Sequence, residues 1–273
     1  MTVAVVQGVS VWGPGLPSWA AAKAVLCGTD DYVVTDVALP PPSLLPANER
    51  RRASLATRLA LVVAQQASET AGVAPGSISS VFATSNGDGA VVHTILEALA
   101  TRQPVSPTQF HNSVHNTAAG YWSIATGSQQ ATTCIACHDA TAAAALLKAV
   151  AEVHAERRPL LLCVYDEPLP APLDAKHPTD GTFGVGLVLA PEDASAGMAR
   201  IDVRYAGSSE GVADWLPRLS ALHRLAKGNP AARLLRLLES LARQVPDTFS
   251  MPLLDGRVDV RLEPCSPADR FLN

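Results

Sequence analysis

The sequence predicts a layered α/β domain. Short apolar runs suited to strands alternate with longer segments of helical apolar spacing, and turn clusters such as Asn86-Gly87-Asp88-Gly89 separate them. With 273 residues and 48% hydrophobic content, the chain can also bury a sizeable core.

Each element follows from its local pattern. Thr2 to Val11 alternates as a strand does, and Ser18 to Leu26 reads as a short helix. Pro40-Pro41-Pro42 forms a rigid extended linker before one long helix predicted over residues 48 to 71. Ser80 to Thr84 reads as the next strand, and the turn 86–89 leads into a helix from Ala90 to Thr101. Asn112 to Thr126 reads as a further helix, with small residues that permit close approach to a neighbour. Ala131 to Ala136 suits a fully buried strand, and Ala140 to Val153 a buried Ala/Leu helix. Ile201 to Tyr205 reads as a strand. Trp215 to Ala226 and Pro230 to Gln244 have helical spacing, and a strand pair around Asp255-Gly256 finishes the chain. No solenoid-type repeat is present.

Charge and leader signals narrow the class. The net charge is −4, and no basic stripe marks a nucleic-acid surface; Arg50-Arg51-Arg52 opens a helix as a solvated cluster that would also steer an acidic partner. Met1 leads directly into a strand-like run without a basic n-region or cleavage site, and no apolar stretch reaches membrane length. A cytoplasmic protein without membrane insertion is therefore expected. Its five cysteines, an odd number, are expected as reduced thiols.

The most informative stretch is Phe110 to Leu147, where an apolar strand delivers Cys137 to the start of a small-residue helix. A thiol beside unpaired helical N–H groups has its pKa lowered toward the thiolate, and those donors can also receive an oxyanion. Cys137 is thus a candidate nucleophile, or else a small residue packing at the helix base. His138 and Asp139 are read as helix-capping neighbours, with Asp139 favourable to the dipole. Phe110, His111, Asn112, His115 and Asn116 either line a pocket or satisfy backbone groups at a subunit contact, the contact reading being preferred.

At these residues the chain resembles the N-terminal half of the β-ketoacyl synthases, thiolase-fold condensing enzymes of fatty-acid and polyketide assembly. Residues Ala47–Gly72, Ser80–Gly89, Phe110–Leu147 and Asp180–Pro191 fall in that family's order and approximate spacing. The resemblance implies a half-length, thiolase-like α/β/α domain over residues 1–191 and a C-terminal helical and strand extension over 192–273. It places Cys137 at the acyl-accepting position, although His138 and Asp139 depart from the small residues expected there. It also implies a second half carrying two catalytic histidines, for which the residues after Pro191 are too few and show no motif. The nearest imitation, His177-Pro-Thr-Asp-Gly-Thr182, lies too close to the cysteine in sequence.

The chain is similar in this respect to the short chain-length-factor proteins of aryl polyene and related pigment pathways. These act as non-condensing partners of a complete synthase. Most of them lack the cysteine, so Cys137 is a departure. The resemblance implies heterodimerisation with a complete ketosynthase or self-association, an acyl carrier protein as partner, and no cofactor.

Competing motifs are weaker. Cys134-Ile-Ala-Cys137-His138 matches the covalent haem pattern, but that attachment occurs outside the cytoplasm and in an exposed loop. A redox dithiol would require Cys134 to leave the strand face, and zinc needs more ligands than Cys134, Cys137 and His138 supply, so no metal is expected. The turn 86–89 lacks both phosphate-loop and dinucleotide fingerprints. Three readings remain: a catalytically incomplete ketosynthase-like subunit, a stand-alone acyl transferase or thioesterase using Cys137 with His111 or His138 as base, and a non-catalytic acyl or carrier-protein scaffold.

Overall fold

The computed structural model describes residues 2–36, 38–208 and 214–266, so positions 209–213 and 267–273 of the C-terminal extension lie outside the described residues. Eight strands form one sheet: β1 (Val3–Trp12), β2 (Ser79–Ala83), β3 (Thr132–Ile135), β4 (Leu160–Asp166), β5 (Phe183–Ala190), β6 (Ala199–Ala206), β7 (Asp247–Leu253) and β8 (Gly256–Pro264). Their order is β3-β2-β4-β5-β1-β6-β8-β7. The pairs β3/β2 and β2/β4 are parallel, and the remaining neighbours are antiparallel. The strands that follow residue 191 thus extend the same sheet.

Nine helices are described: α1 (Trp19–Cys27), α2 (Ala47–Arg52), α3 (Leu55–Thr70), α4 (Gly89–Ala100), α5 (Pro107–Asn112), α6 (Thr117–Thr126), α7 (Thr141–Glu156), α8 (His223–Gly228) and α9 (Leu235–Arg243). Side chains alternate across the strands and so feed two cores. Leu160, Leu162 and Val164 of β4 face the core shared with α1, α7 and α9, whereas Leu161, Cys163 and Tyr165 face the one shared with α3 and α6. This is the α/β/α layering that the sequence predicts. Trp122 of α6 is fully buried in the second core, its ring 6.1 Å from that of Phe82.

Small residues set the approach of α3. A Cβ on Gly186 would strike the Val63 carbonyl, Ser10 Oγ and the Ala67 side chain. Gly186→Ala is therefore expected to lower stability by about 1–3 kcal/mol through overpacking. Equilibrium urea unfolding checks this; an unchanged midpoint would show that helix and sheet can separate freely.

The helix expected over residues 48 to 71 is two helices. Ala53 is extended (ψ 128°), and the Ser54 hydroxyl accepts from Thr57 N at 3.2 Å, so Ser54 starts a new helix. The helix expected from Asn112 to Thr126 is likewise divided, since α5 ends at Asn112 and α6 begins at Thr117. The strand expected to be fully buried is the outer strand β3, and all four of its residues are half-buried. An edge position leaves one side of a strand without a neighbour, which composition does not reveal. Tyr121 and Trp122 are both buried in the core shared with α3.

Candidate functional site: the Cys137 junction

β3 ends at Ile135 and brings Cys137 to a single 3₁₀ turn, His138–Ala140, ahead of α7. The α-helix therefore starts four residues after the cysteine. The backbone N–H of Cys137 donates to Thr141 Oγ1 at 2.9 Å, and that hydroxyl donates to the His138 carbonyl at 2.6 Å. This N–H is thus committed within the junction and is not an open oxyanion donor. Cys137 is partly buried against the α7-side core, and its Sγ has no hydrogen-bond partner among the described residues.

Cys134 packs against the opposite core, so the two sulfurs of the C-x-x-C-H run are directed to different faces of the sheet. Burial raises the Cys134 thiol pKa. This placement suits neither a haem-attachment loop nor an accessible dithiol.

His138 and Asp139 do not cap α7, whose N-terminal cap position is Ala140 and carries no side-chain bond. Their side chains face a different partner, His177, which arrives on the loop between β4 and β5. His177 Nε2 lies 3.0 Å from Asp139 Oδ1, and its ring stacks on His138 with centroids 4.0 Å apart. Arg233 reaches Asp139 Oδ2 at 3.1 Å while its guanidinium lies over the Trp215 ring. Burial works to raise the Asp139 carboxyl, but the His177 hydrogen bond and the Arg233 and histidine charges together hold it below its ordinary value.

The loop after β2 supports this arrangement. Asn86 Oδ1 lies 2.7 Å from His177 Nδ1, and Asn86 Nδ2 donates to Thr179 Oγ1 at 3.1 Å. Asn86 is itself placed by Asp166, whose Oδ1 accepts from Thr84 Oγ1 (2.9 Å), Ser85 N (2.8 Å) and Asn86 N (3.3 Å). Asp88 caps α4 by accepting from Val91 N at 3.1 Å, and Gly87 takes a φ of 60°, in line with the expected turn chemistry. Asp166, Glu167 and Asp88 form a buried acidic group. Burial pushes both Asp166 and Glu167 up to about 7; the bonds to Asp166 oppose this, whereas the Asp88 and Asp166 charges add to it at Glu167.

The residues of α5 and the turn after it do not converge. Asn112 is buried, donates to the Arg52 carbonyl at 2.8 Å and accepts from the Tyr121 hydroxyl. His111 meets the Tyr121 ring edge-on, and His115 Nε2 lies 3.2 Å from the Thr84 carbonyl. Phe110 is 68% exposed, and Asn116 precedes α6 without a capping bond. Asn112 and His115 thus serve backbone groups, while Phe110 faces outward. The functional neighbours that sequence reasoning missed are His177, Asn86 and Arg233. The histidine motif at 177–182 is the visible signal; it lies too close in sequence to the cysteine for a second-half catalytic histidine, and only the fold shows that it meets His138 and Asp139.

With a mixed eight-stranded sheet between two helical layers, the chain has the thiolase-like fold of the ketosynthase N-terminal domain. The chain belongs to the family described as β-ketoacyl synthase, N-terminal domain, which matches residues 19–238. Curated proteins give no match. Among solved structures, the fold is similar to a ketosynthase (ApeO) in complex with its chain length factor (ApeC) from Xenorhabdus doucetiae (TM-score 0.71, 20% identity, 95% of this chain and 99% of the matched one). It is also similar to the ishigamide ketosynthase/chain length factor (0.72, 16%, 97% and 100%) and to a type II ketosynthase complex with its carrier protein, AntDE:AntF (0.72, 11%, 95% and 98%).

Proposed function

We propose that this chain is the non-condensing, chain-length-factor-type subunit of a ketosynthase pair, acting with a complete β-ketoacyl synthase and an acyl carrier protein in cytoplasmic polyene or fatty-acid-type biosynthesis. The observation that carries the reading is the open edge at the cysteine junction. β3 ends the sheet, and half of the exposed large apolar side chains among the described residues fall within residues 96–124, namely Leu96, Leu99, Phe110, Val114 and Ile124. Of these, Ile124 lies on α6, which packs beside β3, and Leu96, Leu99 and Phe110 lie on α4 and α5, which pack on each other; exposed apolar side chains and an unpaired strand edge are suited to a second subunit. Complexes of ketosynthase with chain length factor among the similar folds support the same reading.

The junction favours cradling over chemistry. The cysteine N–H is bound to Thr141, and His177 is engaged with Asn86 and Asp139. Residues 1–191 would supply the ketosynthase-like half, and 192–273 an extension that lengthens the sheet. Arg50, Arg51 and Arg58 border a recess with Pro41 and Pro42, a basic site that suits an acidic carrier protein.

Co-expression with a complete synthase and carrier protein tests the reading. A stable complex is expected, and Cys137→Ala should leave its product formation within about twofold of the wild type. Carbon–carbon bond formation by this chain alone, or an acyl adduct on Cys137 whose removal abolishes product, would transfer the role to the enzyme reading. Stable self-association in the presence of that synthase, with no mixed complex, would support a scaffold instead.

A further inference from the structure

We infer that His138, Asp139 and His177 form a binding site for a zinc-class divalent transition metal, which would clip the cysteine junction to the loop between β4 and β5. The inference is independent of the subunit reading. One ligand atom from each of the three residues lies within 4.8 Å of the others. His177 Nε2 and His138 Nδ1 approach the same oxygen, Asp139 Oδ1, at 3.0 Å and 3.7 Å. A tetrahedral ion with ligand bonds of about 2.0–2.2 Å sets its ligands roughly 3.3–3.6 Å apart, so the His177 and Asp139 atoms need part by only a few tenths of an ångström, while the His138 ring must turn out of its stack to bring Nδ1 to the ion.

Hydrogen bonding around the site fixes His177 with its Nε2 toward Asp139. Asn86 Nδ2 donates to Thr179, which turns Asn86 Oδ1 toward His177 Nδ1. Nδ1 then donates to Asn86, which leaves Nε2 facing the Asp139 carboxylate. The 3.0 Å contact is met by a proton on Nε2, which a metal ion bound to Nε2 and the carboxylate would replace.

Several features favour the metal. A ligating histidine ordinarily donates its other N–H to a carbonyl or carboxylate oxygen, as His177 does to Asn86, and Arg233 orients the carboxylate from its opposite oxygen. Two imidazoles and one carboxylate suit zinc and its neighbours, with water completing the shell. His138 contributes from a left-handed backbone (φ 49°), a conformation that a β-carbon disfavours and that persists where surrounding interactions fix it. Its side chain is 71% exposed, so the ring can turn out of its stack to meet an ion.

Titration of the full-length protein with ZnCl2 and, separately, CoCl2 tests the site. The expected result is one ion per chain, a Co²⁺ visible spectrum without a thiolate-to-metal charge-transfer band, and at least tenfold weaker binding in His177→Ala and in His138→Asn. Because His138 is exposed, its variant keeps the experiment informative should His177→Ala fail to fold. Added Zn²⁺ should raise the thermal midpoint of the wild type and leave that of His138→Asn unchanged. Absence of one-to-one binding, unchanged affinity in His138→Asn, or a thiolate charge-transfer band placing the ion on cysteine would each overturn the inference.

Discussion

Stability is expected to fall by several kcal/mol as pH rises from 5 to 8, and Asp166→Asn should remove much of that slope. Asp166 and Glu167 are both raised to about 7 by burial, from ordinary values of 3.8 and 4.5. The folded protein therefore holds protons there that the unfolded chain has released. This stabilisation is complete below the unfolded pKa values and is lost as pH climbs through about 7. Each tenfold change in acidity is worth about 1.4 kcal/mol, which gives Asp166 a contribution on the order of 4 kcal/mol. The two groups interact and titrate as a pair, so their contributions do not simply add.

Burial also raises Asp88, the third member of the buried acidic group, so it adds to the loss in the same direction, while the lowered carboxyls act elsewhere. Asp139, Asp202, Asp247 and Asp259 are lowered, so their contributions are present above the ordinary carboxylate range and are lost only toward acid. In Asp166→Asn the side-chain oxygen can still accept from Thr84, Ser85 and Asn86 while the titrating proton is gone. Urea unfolding at pH 5, 6, 7 and 8 measures both proteins. A flat wild-type profile, or an equal slope in the variant, would show that the buried acids do not set the pH response.

Replacing Phe110 and Ile124 together by Asp should weaken association with a complete synthase by about 30-fold or more. These side chains are 68% and 63% exposed and lie on α5 and α6, the latter packed beside the outer strand β3. Large apolar anchors at the centre of an interface contribute about 2–4 kcal/mol each, and an introduced carboxylate adds a desolvation cost. Exposed substitutions leave the core intact, so the thermal midpoint of the isolated chain should change little. Sedimentation or calorimetric titration with the partner reads the loss. Full affinity in the double variant would place the interface elsewhere.

Much of the fold was legible because its causes are local. Strand alternation, the short helix from Ser18, the turn at 86–89 and the Asp255-Gly256 hairpin all depend on residues close in sequence. The division at Ser54 was a weak local signal, since no proline or glycine marks it and its hydroxyl serves Thr57 only once the chain has bent. The burial of β3 was not readable, because a strand's place in the sheet depends on distant pairings. The candidate site divided in the same way. Cys137, His138 and Asp139 were found from their position between a strand and a helix. His177 and Arg233 reach Asp139 from 38 and 94 residues away, and only the return of β4, β5 and the later helices brings them there.

By itself, then, the sequence determined the alternation of elements, the family likeness and the place of the cysteine, since periodicity, capping and turn chemistry act over a few residues. Tertiary structure alone decided which strand lies at the edge, that Cys134 and Cys137 face opposite cores, and that two histidines meet across one aspartate. Those outcomes depend on contacts between segments far apart in the chain, whose energies appear only when the sheet closes.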